Sequence, residues 1–231
     1  MRAVWLPSIA SGPKHLLVGE AYHHLVNVVR TEAGEDVLLL DGKGLKVWVR
    51  VMQISRRELH LQETGREEVQ RRFEMDLALG IPKREALEMV LKEATELGIR
   101  RIYLVRAAYS QQKVPEADRL QKLLVSALEQ SNAPFLPEIL ESNWQSIEWN
   151  EYGLKLLMDS QTEECTHEVL DFFAPTLLVV GPEGGFEKSE LSYLHQRPGL
   201  EILNLPTPIM RTPTAVATGA GCLLQRLIDR R

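Results

Sequence analysis

From Met75 onward the chain alternates short apolar runs with segments whose apolar residues recur at helical spacing, and this alternation restricts the region to an α/β domain with a mainly parallel sheet. Met75 to Ile81 reads as a strand and Pro82 as a first-turn helix residue. Leu87, Val90, Leu91, Ala94 and Leu97 then fall on one helical face, and Gly98 supplies a stop. The series continues with a strand at Arg101 to Val105, a helix from Glu116 to Gln130, and strands near Gly153 to Met158 and Leu177 to Gly181. It ends with a helix from Lys188 to His195, a strand at Leu200 to Leu205 and a final apolar helix from Thr212.

The first 70 or so residues follow a different period. Asp36 to Leu40, the turn Asp41-Gly42-Lys43-Gly44, and Leu45 to Ile54 with Val47, Val49 and Val51 alternating describe a β-hairpin. Arg57 to Gln62 adds a strand, Tyr22 to Val29 a short helix, and the charged stretch Thr64 to Phe73, with Gly65, suits a linker. The reading is a small β-barrel over residues 1–72 followed by an α/β domain over 73–231.

At 231 residues with ordinary apolar and charged fractions, the chain is that of a globular protein. No apolar run approaches the roughly 20 residues that span a bilayer, and Met1 to Ala10 lacks a signal peptide's basic flank and apolar core, so a cytoplasmic, membrane-free protein is expected. Cys165 and Cys222 are isolated, and His23-His24 has no H-E-x-x-H or carboxylate cluster beside it. Neither a disulfide framework nor a metal site is indicated. The net charge of −5 argues against a general nucleic-acid coat protein, but its distribution is uneven: 11 Lys and Arg against 10 Asp and Glu through residue 75, then 16 against 22.

Two loops near the C-terminus invite a ligand. Gly181-Pro182-Glu183-Gly184-Gly185 follows a strand, where ligands bind in open α/β sheets, although a tight structural turn has the same spacing. Pro206-Thr207-Pro208-Ile209-Met210-Arg211-Thr212-Pro213-Thr214 opens the last helix. It combines proline stiffness, hydroxyls and a permanently charged guanidinium, so it is either a preorganised site or a rigid connector with a solvent-facing arginine. Neither a Rossmann G-x-G-x-x-G nor a P-loop is present.

With both loops in view the arrangement resembles the SPOUT methyltransferases, and most closely the RsmE family, which methylates N3 of a uridine in 16S ribosomal RNA. The resemblance rests on Gly181 to Gly185, Lys92-Glu93-Ala94-Thr95-Glu96-Leu97-Gly98, Ala127-Leu128-Glu129-Gln130-Ser131 and Pro137-Glu138-Ile139. It extends to Met210-Arg211-Thr212 with Thr214, to His23 through Arg30, and to Asp41 through Gly44. It implies a PUA-like β-barrel that binds RNA, a trefoil-knotted α/β domain, a homodimer, and S-adenosylmethionine as cofactor, with S-adenosylhomocysteine as product. Carried over by position, the cofactor pocket would use Leu157, Met158, Gly181, Glu183, Gly184, Gly185, Leu205, Ile209, Met210 and Thr214. Arg211 would act on the substrate by electrostatic stabilisation, with Glu183 as a weak general-base candidate. Arg30, Lys43, Lys46 and Arg50 would grip phosphates of 16S rRNA, presented by an assembled small ribosomal subunit.

The departures from the family pattern fall in the same places. Leu205-Pro206-Thr207-Pro208 stands where Leu-Gly-Pro-Arg is common, and Pro213 stands where a glutamate is usual, so an arginine and a glutamate of the family pattern are missing. Ala133 replaces an arginine, and Gln111 and Gln112 replace acidic and basic residues. Two other readings accommodate these changes: an RNA-binding assembly factor that lost the reaction, and a methyltransferase of the same fold acting on another RNA.

Overall fold

In a computed structural model, residues 2–28, 30–111, 113–159 and 175–228 are described. Val29, Gln112 and Cys165 lie outside them. The chain divides into two compact units, residues 1–71 with 124–136, and residues 72–123 with 137–231.

The first unit holds β1 (Arg2–Trp5), β2 (Lys14–Leu17), α1 (Gly19–His23), β3 (Asp36–Leu40), β4 (Leu45–Ile54) and β5 (Leu59–Glu68), in a mixed sheet of order β1-β3-β4-β5-β2. The expected hairpin is β3 and β4, with Leu38 opposite Trp48 and Asp36 opposite Arg50. Val47, Val49 and Val51 point inward onto Val37, Leu39, Leu59 and Leu61. The linker expected from Thr64 to Phe73 begins later, because β5 runs on to Glu68. The ten residues of β4 need a partner along their length, and Gly65 lies opposite Trp48, where an added Cβ would only touch the indole at 3.6 Å. Charge misled the sequence reading here, since a strand's outward face is polar. Helix α1 starts at Gly19, earlier than Tyr22, and passes into a wider turn from His24 to Val28.

The second unit is an all-parallel sheet of order β11-β9-β10-β6-β7-β8. Its elements are β6 (Met75–Gly80), α2 (Arg84–Glu96), β7 (Arg101–Val105), β8 (Glu138–Ser142), β9 (Leu154–Met158), β10 (Thr176–Val180), α4 (Lys188–His195), β11 (Leu200–Leu203) and α5 (Thr212–Ile228). Helix α3 (Ala117–Ser131) starts in this unit, and its second half groups with the first. Every residue of β6, β9 and β10 is buried, as expected for central parallel strands covered on both faces. One face packs against Trp144, Trp149, Tyr152 and Leu194; the other takes α5, which also lies on α2. Pro82 precedes the helix it was expected to open: Lys83 is the N-cap of α2, and Gly98, at φ +75°, ends it. No helix among the described residues is long and apolar enough to cross a membrane.

Residues 124–136 explain one departure from the family pattern. Within the first unit Leu128, Ala133 and Leu136 cover Ala3, Leu38, Leu40 and Trp48, so a small apolar residue at 133 belongs to a packed cluster. Glu129 accepts the Trp5 N–H at 2.9 Å and lies 3.5 Å from His24.

Candidate cofactor site

Strand order reverses at the β10–β6 boundary: β6, β7 and β8 run outward one way, and β10, β9 and β11 the other. Ligands of parallel sheets bind at the carboxyl ends beside such a reversal, because the flanking loops diverge and leave a crevice. Register brings three strand ends level there, with Met158 paired to Val180 on one side and Leu203 on the other. The loops that follow these strands therefore share one edge of the sheet.

The first loop is fastened to the end of β6. An added Cβ on Gly80 would sit 2.5 Å from Cδ and 2.9 Å from N of Pro182, so the loop crosses β6 only because that strand ends in glycine. Glu183 accepts the Lys83 N–H through both carboxylate oxygens, at 2.9 and 3.1 Å, capping the N-terminus of α2. That bond gives Glu183 a structural task and weakens its candidacy as a base. Gly184 packs under Tyr109, Gly185 has φ +73° and closes a turn onto the Pro182 carbonyl at 2.9 Å, and Gly181 lies against Phe186. Replacing Gly80 by alanine is expected to cost about 1–3 kcal/mol, because the ring and backbone it meets are both stiff. A shift of the urea midpoint would measure this, and an unchanged midpoint would show that the loop can lift away.

The second loop reaches the first through Thr212. This buried residue opens α5 and donates its hydroxyl to the Gly181 carbonyl at 3.4 Å. Pro213 lies in the first turn of α5, where its missing N–H would have gone unpaired in any case, so this departure costs the helix nothing. Where the ends of β9 and β11 meet the second loop is a cavity of about 70 Å³ lined by Met158, Asp159, Leu203, Asn204, Leu205 and Met210, with Thr207, Pro208 and Ala215 completing the wall.

Of the expected pocket residues, Met158, Leu205 and Met210 line this cavity. Gly181, Glu183, Gly184 and Gly185 form the neighbouring loop, and Thr214 is exposed on the first turn of α5. Leu157 points away, into the core formed with Ala78, Leu177 and Val179. Ile209 is 86% exposed. Arg211 is exposed too; its carbonyl accepts the Ala215 N–H at 2.9 Å, which fixes its backbone, while its guanidinium has no hydrogen bond or ion pair with a described residue. Asp159, Asn204 and Ala215 escaped sequence reasoning, although the first two immediately follow strands and were findable by that rule.

The expected RNA-binding cations are dispersed over the first unit. Lys46 and Arg50 are on one face of β4 with Trp48 between them, and Arg50 makes a bidentate pair with Asp36 at 2.9 and 3.0 Å. This pair holds the Asp36 carboxyl below the usual range and raises Arg50. Lys43 is exposed in the hairpin turn; Arg30, at φ 55°, is exposed and its carbonyl accepts from Arg2.

Residues 69–223 match the model of an RNA methyltransferase domain, and residues 17–64 that of an RNA methyltransferase PUA domain. The chain belongs to this RNA methyltransferase family. Within it, it is 26% identical over 226 residues to Ribosomal RNA small subunit methyltransferase E of Bacillus subtilis, covering 90% of this chain and 88% of that protein. Its identity to the Helicobacter pylori J99 protein of the same name is 27% over 222 residues, covering 89% and 91%. Its fold matches the Neisseria gonorrhoeae Ribosomal RNA small subunit methyltransferase E bound to S-adenosyl methionine, with a TM-score of 0.83 at 23% identity and 98% of both chains covered. A probable rRNA-methyltransferase from Porphyromonas gingivalis gives 0.80 at 21% identity, covering all of both chains.

Proposed function

We propose that this protein transfers a methyl group from S-adenosylmethionine to N3 of a uridine in 16S rRNA. The observation that carries the reading is the fastening of the two loops to each other at the carboxyl ends of the strands, with a cavity lined by the second loop and, next to Met210 in its wall, Arg211, whose guanidinium pairs with no described residue. The residues suit the cofactor: Met158, Leu205 and Met210 offer apolar contact to a flat ring, and Gly185, with open space where a Cβ would stand, admits close backbone approach. A cavity of about 70 Å³ takes one end of such a molecule, since whole small-molecule sites run to roughly 300–1,000 Å³. When bound, the cofactor supplies an electrophilic methyl on a sulfonium sulfur.

The protein's own part is positioning and charge. Uracil N3 loses its proton to solvent water, which leaves negative charge on the adjacent carbonyl oxygens; Arg211 stabilises that charge, and the N3 lone pair then takes the methyl as the carbon–sulfur bond breaks. Binding of rRNA within the small subunit lowers the cost of unstacking the uridine. The last loop, as the resemblance implies, is the segment threaded in a trefoil knot, a reading supported by the Thr212 bond to Gly181. A homodimer belongs to the same reading, as the resemblance implies. The cytoplasm is where such a substrate is met.

Incubation of the protein with labelled S-adenosylmethionine and small subunits from cells lacking it, followed by nucleoside mass spectrometry, is expected to yield labelled 3-methyluridine. Label in another nucleoside would favour the retargeted enzyme. No label with cofactor binding intact would favour the inactive assembly factor. Light scattering is expected to give a dimer at micromolar concentration, and a monomer would count against the homodimer.

A further inference from the structure

On the other side of the glycine loop from the cofactor cavity, beyond the carboxyl ends of β6 and β7, lies a cleft of about 730 Å³. Its walls include Arg84, Ser110, Gln111, Lys113, Glu116 and Arg119. It adjoins the loop directly: Tyr109 packs on Gly184, the next residues Ser110 and Gln111 enter the cleft wall, and the Gln111 N–H bonds to the Ile81 carbonyl at 3.0 Å.

The cations here are arranged by the fold. Arg84 at the start of α2 and Arg119 at the start of α3 share one carboxylate, Glu88, through Arg84 Nε at 3.1 Å and through Arg119 Nε and Nη2 at 3.0 and 2.6 Å. The two arginines hold the Glu88 carboxyl below the usual range, so it stays ionised and keeps them side by side. Arg84 engages it through Nε alone, which leaves both terminal nitrogens to donate elsewhere. Lys113 is exposed and has no hydrogen bond or ion pair with a described residue. With Glu88 and Glu116 counted against them, the three cations leave the cleft net positive. Val114 and Pro115 complete the wall, and long cations with hydroxyl and amide neighbours are the groups that contact phosphate and sugar.

We propose that this cleft binds the sugar–phosphate backbone of the RNA substrate, with Lys113, Arg84 and Arg119 on phosphates, and lays the strand along the glycine loop. The inference rests on the methyltransferase reading above and gives its substrate a track in the catalytic unit itself. Recognition here is of charge and spacing and carries no base information.

The test is a fluorescence-anisotropy titration of the full chain, without cofactor, against a labelled single-stranded fragment of small-subunit rRNA at several salt concentrations. Lys113→Glu is expected to weaken binding about 10-fold at low salt and to flatten the slope of log affinity against log salt by about 0.7. Lys113→Arg is expected to retain wild-type affinity, and Arg84→Ala with Arg119→Ala to flatten the slope further. An unchanged affinity and slope in Lys113→Glu overturns the proposal. So does equal competition by a uridine mononucleotide or inorganic phosphate, which would mark a small-anion site. Calorimetry with S-adenosylmethionine judges the methyltransferase reading separately: a chain that binds RNA through the cleft but never the cofactor would overturn that reading and leave the cleft standing.

Discussion

Replacing Arg211 by alanine is expected to lower the rate of methyl transfer by about 10²–10³-fold while leaving S-adenosylmethionine affinity within a few-fold of wild type. The expectation follows from what Arg211 does and does not touch. Its backbone is fixed, because the carbonyl accepts the first helical bond of α5. Its side chain has no hydrogen bond or ion pair with a described residue, so its removal leaves no buried partner stranded and should not disturb the fold. The neighbours that line the cavity, Met210 and Leu205, remain in place. The loss should thus appear in kcat rather than in cofactor binding or in the unfolding midpoint.

Arg211→Lys separates two accounts of the same loss. If Arg211 meets two carbonyl oxygens with its planar fork, a lysine, which brings the charge without the fork, is expected to recover only a small part of the rate. A single-turnover assay with saturating cofactor reads the difference. Equal loss of cofactor affinity in both variants would instead place Arg211 among the groups that hold the cofactor, and would move the search for the stabilising charge to other residues of the site.

How much of this was legible in the sequence depends on whether the signal is local. The apolar run of β6 and the face of Leu87, Val90, Leu91 and Ala94 on α2 are local, and the strand and helix were readable. The edge strand β8, in which Glu138 and Glu141 flank Ile139 and Leu140, has a single neighbour and no alternation of apolar and polar residues, and β1 and β2 are only four residues long. None of the three stands out from loop. The glycine turn was visible as a loop after a strand. That it sits at the strand reversal depends on pairing between β10 and β6, about which the sequence is silent. Gly80 has the same excuse, since its reason is Pro182, distant in the chain. The cleft was invisible because Arg84 and Arg119 become neighbours only through Glu88, 31 residues before Arg119.

The amino ends of the same strands carry a cluster that the chemistry does not use, and removing its centre is expected to have the largest effect on stability. Asp76 is fully buried and accepts Arg100 Nε and Nη2 at 2.9 and 2.8 Å, the Arg101 N–H and Nε at 3.1 and 2.8 Å, and the Tyr152 hydroxyl at 2.7 Å. Tyr152 in turn meets the Tyr103 hydroxyl at 3.0 Å, and burial pushes its own phenol well above the usual range, so it stays a donor. Asp76→Ala is expected to cost about 3–5 kcal/mol, because it leaves guanidinium groups partly buried without their counter-charge. Burial alone would raise the Asp76 carboxyl, but the bonds from Arg100, Tyr152 and Arg101 outweigh it and hold the pKa below the usual value. A carboxyl depressed in the folded state binds fewer protons there than in the unfolded chain. Its contribution is therefore complete above an unfolded pKa of about 4 and fades as pH falls through the folded value. Urea titrations at neutral pH and at successive values below about pH 4 should show the wild type losing stability faster than Asp76→Asn, so that the gap between them narrows. Parallel loss in the two proteins would assign the acid sensitivity to other carboxylates.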